Sequence, residues 1–263
     1  MTTGWLAIAL GVSTAVALAL LARARREQRQ LRERIESATR ELQNLQMSFS
    51  RFTPEEVIER VIAEGIDDRG EKKEVTVLFA DIMGFTALSE AVEPSVLLRI
   101  LNGYFERMSE AIAKHRGHVA TFIGDGLLAF FGAHAPNPWQ ANDAVHAALE
   151  MRASLTSYNE ELEREGLPTL RIGVGLHRGT GVAGLVGSSD LKEFAFVGRT
   201  VNVAARVQDL TRSYDADIIL TDALRESLDP RFALKGLPDT GVKGVTDPLV
   251  IHSVLGFDEH ATR

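Results

Sequence analysis

Residues 74–81 read EVTVLFAD, an apolar run rich in β-branched and aromatic side chains that stops at Asp81. Such a run is typical of a strand buried on both faces near the centre of a sheet. The segment that follows, IMGFT at 82–86, predicts a turn whose backbone N–H groups can face an anion, ahead of a helix over 94–115. Taken alone, Asp81 is as consistent with a structural acid at a strand end as with a ligand.

A second acid lies in a predicted hairpin. Residues 118–123 and 127–131 each predict a strand, and the GDG sequence at 124–126 predicts the tight turn that joins them, with Asp125 at its tip. Because Asp-Gly is also a common hairpin turn, a plain turn residue is the alternative interpretation of Asp125. Two carboxylates at the ends of neighbouring strands are, however, what a hard divalent cation that also binds phosphate requires.

The remaining segments predict a sheet interleaved with helices, an α+β pattern. A helix is expected over 138–165, and strands are expected over 170–177, 181–187, 193–198 and 249–255.

Two further groups of polar residues stand out. The sequence GRTVNVAAR at 198–206 opens a helix in which Asn202 and Arg206 lie one turn apart on the same face. They could bind one ligand together, or simply pair with each other at the surface. Lys243 lies between glycines in the loop GVKGVTDP at 241–248, and a lone loop lysine is usually only solvated.

Composition narrows the class of protein. The chain has 263 residues, 45% of them hydrophobic and 25% charged, which suits one globular domain with accessory segments. Its net charge of -7 disfavours a general nucleic-acid binder, so no nucleic-acid partner is expected. The absence of cysteine excludes disulfides, a thiolate nucleophile and cysteine-ligated zinc.

The N-terminal segment predicts a membrane anchor. Residues 1–22 carry no charged side chain, and a helix over residues 4–22 would be about 28 Å long, against a hydrocarbon core of about 30 Å. Arg23 and two more arginines follow at once, so a single-pass protein of the cell membrane with a cytoplasmic catalytic domain is expected. A cleaved signal peptide is the alternative, although it would normally begin with basic residues.

A dimerising stalk is predicted over 23–50. Its apolar residues alternate in spacings of four and three, the pattern of a parallel coiled coil, and they are Leu31, Ile35, Ala38, Leu42, Leu45 and Phe49. A single amphipathic helix is the alternative. Residues 51–73 are interpreted as a transducer helix, opened by the capping box TPEE at 53–56, and a linker to the catalytic domain at 74–263.

Four segments together resemble one family. They are VTVLFADIMGFTALSE at 75–90, FIGDGLLAFFG at 122–132, VGRTVNVAAR at 197–206 and VKGVTDP at 242–248. In this order they resemble the catalytic domain of class III adenylyl and guanylyl cyclases. The resemblance implies a ferredoxin-like, palm-type fold and active sites at the head-to-tail interface of a homodimer. The resemblance also makes a purely structural role for Asp81, Asp125, Asn202, Arg206 and Lys243 less favoured than a role in the active site.

The resemblance also implies residue roles in converting a nucleoside triphosphate into a cyclic monophosphate. Asp81, Asp125 and the Ile82 carbonyl would hold two Mg²⁺ or Mn²⁺ ions per active site. The turn residues Met83, Gly84, Phe85 and Thr86 would bind phosphate. The second copy of the chain would contribute Asn202 and Arg206 as catalytic residues, and Lys243 would bind the triphosphate.

The choice of base is left open by the sequence. Adenine-selecting members of the family carry Lys and Asp or Thr at two positions where this chain has Thr121 and Ala195, and guanylyl cyclases carry Glu and Cys there. Thr121 offers one hydrogen-bonding group to a base, whereas the Ala195 side chain offers none. ATP is the favoured substrate, GTP is the alternative, and a third hypothesis is a catalytically silent scaffold that only binds nucleotide and dimerises.

Overall fold

The computed structural model describes residues 70–133, 136–188, 192–238 and 248–259. The predicted transmembrane helix, the coiled-coil stalk and most of the transducer segment lie outside the described residues, as does Lys243. Within the described ranges, none of the helices combines the length and the apolar character that a bilayer crossing requires.

These ranges form eight strands and five helices. In chain order they are β1 (Glu71–Ile82), α1 (Phe85–Ala91), α2 (Pro94–Lys114), β2 (His118–Ile123), β3 (Gly126–Phe131), α3 (Gln140–Arg164), β4 (Ile172–Gly187), β5 (Lys192–Val197), α4 (Arg199–Tyr214), β6 (Ile218–Thr221), α5 (Asp222–Arg225), β7 (Phe232–Gly236) and β8 (Ile251–Phe257). One sheet contains all the strands in the order β2-β3-β1-β4-β6-β8-β7, and β5 pairs with β4 alongside this path.

The first half of the chain builds a ferredoxin-like unit. The order β1-α2-β2-β3-α3-β4 along the chain becomes β2-β3-β1-β4 across the sheet, with β1 antiparallel to both β3 and β4. The strand predicted at 74–81 is therefore central, as its uninterrupted apolar run indicated. The predicted α+β, ferredoxin-like arrangement is confirmed.

The alternation of side chains along β1 divides the core into two layers. Leu78, Ala80 and Ile82 point into the larger cluster with α2 and α3, while Val75 and Val77 belong to a second cluster that includes residues of α4. Burial of each large aliphatic side chain contributes roughly 1.5–3 kcal/mol. Asp81 lies on the same face of β1 as Val75 and Val77, so its side chain points toward α4.

Two predicted boundaries were wrong in informative ways. The first strand, predicted to begin at residue 74, begins at Glu71. The strands predicted at 170–177 and 181–187 are a single strand, β4. Gly179 and Gly181 do not form a turn; they leave room for neighbouring side chains to pack. A Cβ at Gly179 would lie 2.8 Å from Thr200 Oγ1, and one at Gly181 would lie 2.3 Å from the Phe196 ring.

Several short elements were not anticipated. Helix α1 occupies part of the predicted turn, and β6, α5 and β7 are only four or five residues long, too short for a clear periodic pattern. The last strand spans Ile251–Phe257 instead of 249–255.

Candidate active site

Asp81 lies at the end of the central strand between two glycines. It is the penultimate residue of β1, and its partner in β4 is Gly173. On the other side, a Cβ at Gly126 would lie only 3.3 Å from Asp81 Oδ1. Because Gly126 has no side chain, space is left beside the carboxylate on that side, whereas α4 packs over Gly173.

Asp125 meets Asp81 from the β2–β3 hairpin. Ile123 pairs with Gly126, which leaves Gly124 and Asp125 as a two-residue turn, and Gly124 has a φ of +63° that suits glycine. The Asp125 carboxyl is close enough to share a hydrogen bond with Asp81. The two predicted metal ligands are therefore brought together.

The electrostatics of this pair favour a bound cation. The pKa of Asp81 is raised from 3.8 to about 6, chiefly by burial and further by the hydrogen bond to Asp125 and its charge. Arg212 and a backbone hydrogen bond from Ile82 only partly offset this increase. A divalent cation bound beside Asp81 would supply positive charge that favours the ionised carboxylate, and would so oppose the increase in its pKa.

The donor set fits Mg²⁺ or Mn²⁺, which prefer hard oxygen ligands. No group of three or more His, Cys, Asp or Glu side chains suited to a metal occurs among the described residues. A cation held by Asp81 and Asp125 would therefore need further oxygen ligands, from the Ile82 carbonyl, water or substrate phosphates. The residues present fit the predicted site, while the number and identity of the ions stay predictions.

In the turn after β1, fewer backbone N–H groups are available to bind an anion than predicted. The Met83 N–H donates to the Arg171 carbonyl at 2.8 Å, because the pairing of β1 with β4 continues past the strand end. It is therefore not free to bind phosphate. Gly84 caps α1 with a φ of +75°, and the N–H groups of Phe85 and Thr86 open the helix without partners inside it. Phosphate binding stays a prediction for these three residues.

Tyr104 is a buried neighbour of the acid pair that the sequence did not reveal. It lies in α2, its side chain is fully buried, and its hydroxyl has no hydrogen-bond partner among the described residues. Burial, and then the charges of Asp81 and Asp125, raise the pKa of Tyr104 above its ordinary value. In the sequence it reads as one more core position of an amphipathic helix, so no pattern identified it.

Along α4, Asn202 lies far from the aspartates of the same chain, and Arg206 lies about one turn nearer to them. Helix α4 begins where the Thr200 hydroxyl donates to the Thr180 carbonyl at 2.7 Å. It ends beside Gly173, whose added Cβ would meet Thr211 Oγ1. Asn202 therefore lies about 13 Å along the helix from the end near Asp81. In the described part of the chain, the side chains of Asn202 and Arg206 make no hydrogen bond or ion pair.

The two predicted base-binding positions are also far apart. Thr121 lies in β2, and the pairings across the sheet align it with Gly175 of β4. Ala195 lies in β5 opposite Gly184 of β4. The nine-residue separation along β4 corresponds to roughly 30 Å. One chain does not bring Thr121 and Ala195 to the same base.

Comparison with known proteins identifies the family. The adenylate and guanylate cyclase catalytic domain matches residues 68–256. The chain belongs to this family. An adenylate cyclase of Anabaena cylindrica is 34% identical over 218 residues, which cover 79% of this chain but only 42% of that protein.

Solved cyclase structures share the fold. The guanylyl cyclase Cya2 is 33% identical with a TM-score of 0.68, and the match covers 73% of this chain and 96% of that chain. The adenylyl cyclase CyaB from P. aeruginosa is 27% identical with a TM-score of 0.68, covering 74% of this chain and 100% of that chain. The class III cyclase resemblance and the palm-type fold are confirmed, whereas similar cyclases divide between the two bases.

Proposed function

We propose that this chain is a membrane-anchored adenylyl cyclase that converts ATP into 3′,5′-cyclic AMP and pyrophosphate at sites completed by two copies of the chain. The observation that carries the proposal is the facing pair of Asp81 and Asp125 at the end of the central strand, beside a helix-opening turn. A raised carboxyl pKa in a cleft is typical of functional sites. The membership of the cyclase family supplies the reaction class.

The residues divide the work of an in-line displacement. Asp81, Asp125 and the Ile82 carbonyl hold the divalent cations, which supply Lewis acidity for the 3′-hydroxyl and for the leaving pyrophosphate when bound. The N–H groups of Gly84, Phe85 and Thr86 orient the polyphosphate. Asn202 and Arg206 of the other copy orient the ribose and stabilise negative charge on the phosphoryl group in the transition state. Lys243 is assigned to the triphosphate.

The distances within one chain support a homodimer. Thr121 and Ala195 can bind one base only if they come from different copies, and the same holds for Asp81 and Asn202. The β4–β5 ribbon also exposes Val182 and Val197, which are register partners, at 46% and 55%. Val186 on the same strand is 51% exposed. Clustered exposed apolar residues are typical of interaction surfaces.

The base preference is tested with both nucleotides in one reaction. The purified 263-residue chain with Mn²⁺ is expected to form cyclic AMP from ATP, with discrimination against GTP below about a hundredfold, because Ala195 contributes no side-chain hydrogen bond to the base. Chromatographic separation of the two cyclic products measures the ratio. Cyclic GMP as the main product would favour the guanylyl cyclase alternative. The similarity to the guanylyl cyclase Cya2 supports that alternative. No product from a folded dimer would favour the silent scaffold.

The membrane anchor rests on the sequence of residues 1–22. The chain expressed in bacteria is expected to sediment with membranes, to resist extraction by high salt and to dissolve in detergent, because an apolar segment of this length spans the bilayer. A variant lacking residues 1–22 is the control and should remain in the supernatant. Recovery of the intact chain in the supernatant without detergent would contradict the anchor.

A further inference from the structure

Arg212 makes a direct ion pair with one of the two acids of the active site. Its Nη2 donates to Asp81 Oδ2 at 2.6 Å. The residues are 131 positions apart in the sequence. The Asp81 side chain is 25% exposed and the Arg212 side chain 53% exposed. Within the described ranges, Arg212 is the one cationic side chain paired with Asp81.

The fold places the backbone of Arg212 beside Asp81. Gly173, the β4 partner of Asp81, lets the C-terminal turn of α4 approach the sheet, since a Cβ there would lie 2.1 Å from Thr211 Oγ1. Thr211 itself is fully buried, and its carbonyl accepts a hydrogen bond of 3.1 Å from the Ala216 N–H. The residue next to Thr211 is therefore held above Asp81.

The pair conflicts with the proposed role of Asp81. A carboxylate oxygen that accepts a short charged hydrogen bond is a weaker ligand for a cation, because part of its negative charge and lone-pair density is already engaged. A guanidinium within hydrogen-bonding distance of that oxygen would also repel a divalent ion bound there. Since half of the Arg212 side chain is exposed, it can leave Asp81 without disturbing the buried core.

We propose that Arg212 is a resident counter-ion of Asp81, and that binding of a divalent cation is an exchange in which the cation replaces this guanidinium. The inference rests on the proposed function, because it takes Asp81 as a metal ligand. It has two consequences. Arg212 stabilises the metal-free chain against the repulsion between Asp81 and Asp125, and it weakens the apparent affinity for metal.

Metal binding without nucleotide tests the exchange independently of catalysis. Free Mn²⁺ is measured by electron paramagnetic resonance during titration of the full chain, for the native protein and for Arg212→Gln. The variant is expected to bind Mn²⁺ about two- to fivefold more tightly, because an exposed ion pair of this kind changes an equilibrium constant by up to about fivefold. Arg225→Gln is the matched control, since Arg225 pairs with Asp222 instead, and it should leave the affinity unchanged.

Unfolding temperatures separate an exchange from simple charge repulsion. Without metal, Arg212→Gln is expected to lower Tm by about one to three degrees in the native background and to have no effect in an Asp81→Asn background. Tighter Mn²⁺ binding with an unchanged metal-free Tm would indicate repulsion at a distance and overturn the exchange. Unchanged or weaker Mn²⁺ binding by Arg212→Gln, or no binding by the native chain, would also overturn it. A chain that shows the exchange but forms no cyclic nucleotide would refute only the proposed function.

Discussion

Asp81→Asn should lower cyclase turnover by about a hundred- to a thousandfold and, at the same time, make the metal-free chain more stable at pH 7. The loss follows because the amide cannot neutralise a divalent cation, and loss of one preorganised electrostatic contact in an active site typically has this size. Product formation under saturating Mn²⁺ and ATP measures it. Retention of more than a tenth of native turnover would remove Asp81 from the catalytic centre.

The gain in stability follows from the sign of the pKa shift. The pKa of Asp81 is raised to about 6, so folding favours its protonated form. This contribution to stability is fully present below about pH 4 and is lost as the pH rises through 6. An uncharged asparagine avoids that loss, and after discounting for solvent screening the gain at pH 7 is on the order of 1 kcal/mol, or about 2–4 °C in Tm.

Thermal unfolding at several pH values tests this sign. The Tm difference between Asp81→Asn and the native chain should grow between pH 4 and pH 7 when no metal is present. Asp209→Asn is the control, because Asp209 is an exposed acid on α4, and it should show no such trend. A variant less stable than the native chain across this range would mean that the acid pair is held together by contacts that the charge argument omits.

The sequence predicted the parts of the fold that local pattern determines. The uninterrupted apolar run before Asp81 identified the central strand, and the GDG turn identified the hairpin, because both signals are local. The two strands predicted over 170–177 and 181–187 form one strand, β4, in which Gly173, Gly175 and Gly179 let α4 approach at close range. That role depends on packing against α4, which a local sequence pattern does not show.

The site residues that belong to a local sequence motif could be predicted. The residues that reach the site only through packing between distant segments could not. Asp81 and Asp125 follow from strand ends and a turn, whereas Arg212 reaches Asp81 only because Gly173 lets α4 approach β4. Tyr104 reads as an ordinary core residue of α2. The hydrogen bond from the Met83 N–H to the Arg171 carbonyl likewise depends on the register between β1 and β4. Long-range register and helix packing do not appear in a local pattern.

Mixing two inactive variants should restore activity if each site is shared between two copies. Asp81→Asn disables one half of a site and Arg206→Ala the other, and each homodimer should be nearly inactive. In a dimer of one chain of each kind, one site receives both mutations and the other receives none. With random pairing, half of the dimers are mixed, so co-expression should give about a quarter of native turnover, which is far above either variant alone.

The control uses two variants from the same half of the site. Asp81→Asn mixed with Asp125→Asn leaves every site with one altered aspartate, so no activity should return, although the dimers form equally well. Measurement of cyclic nucleotide by each mixture, at equal total protein, decides between the arrangements. If the first mixture yields only the sum of its inactive parents while subunits demonstrably exchange, then Arg206 serves the aspartates of its own chain.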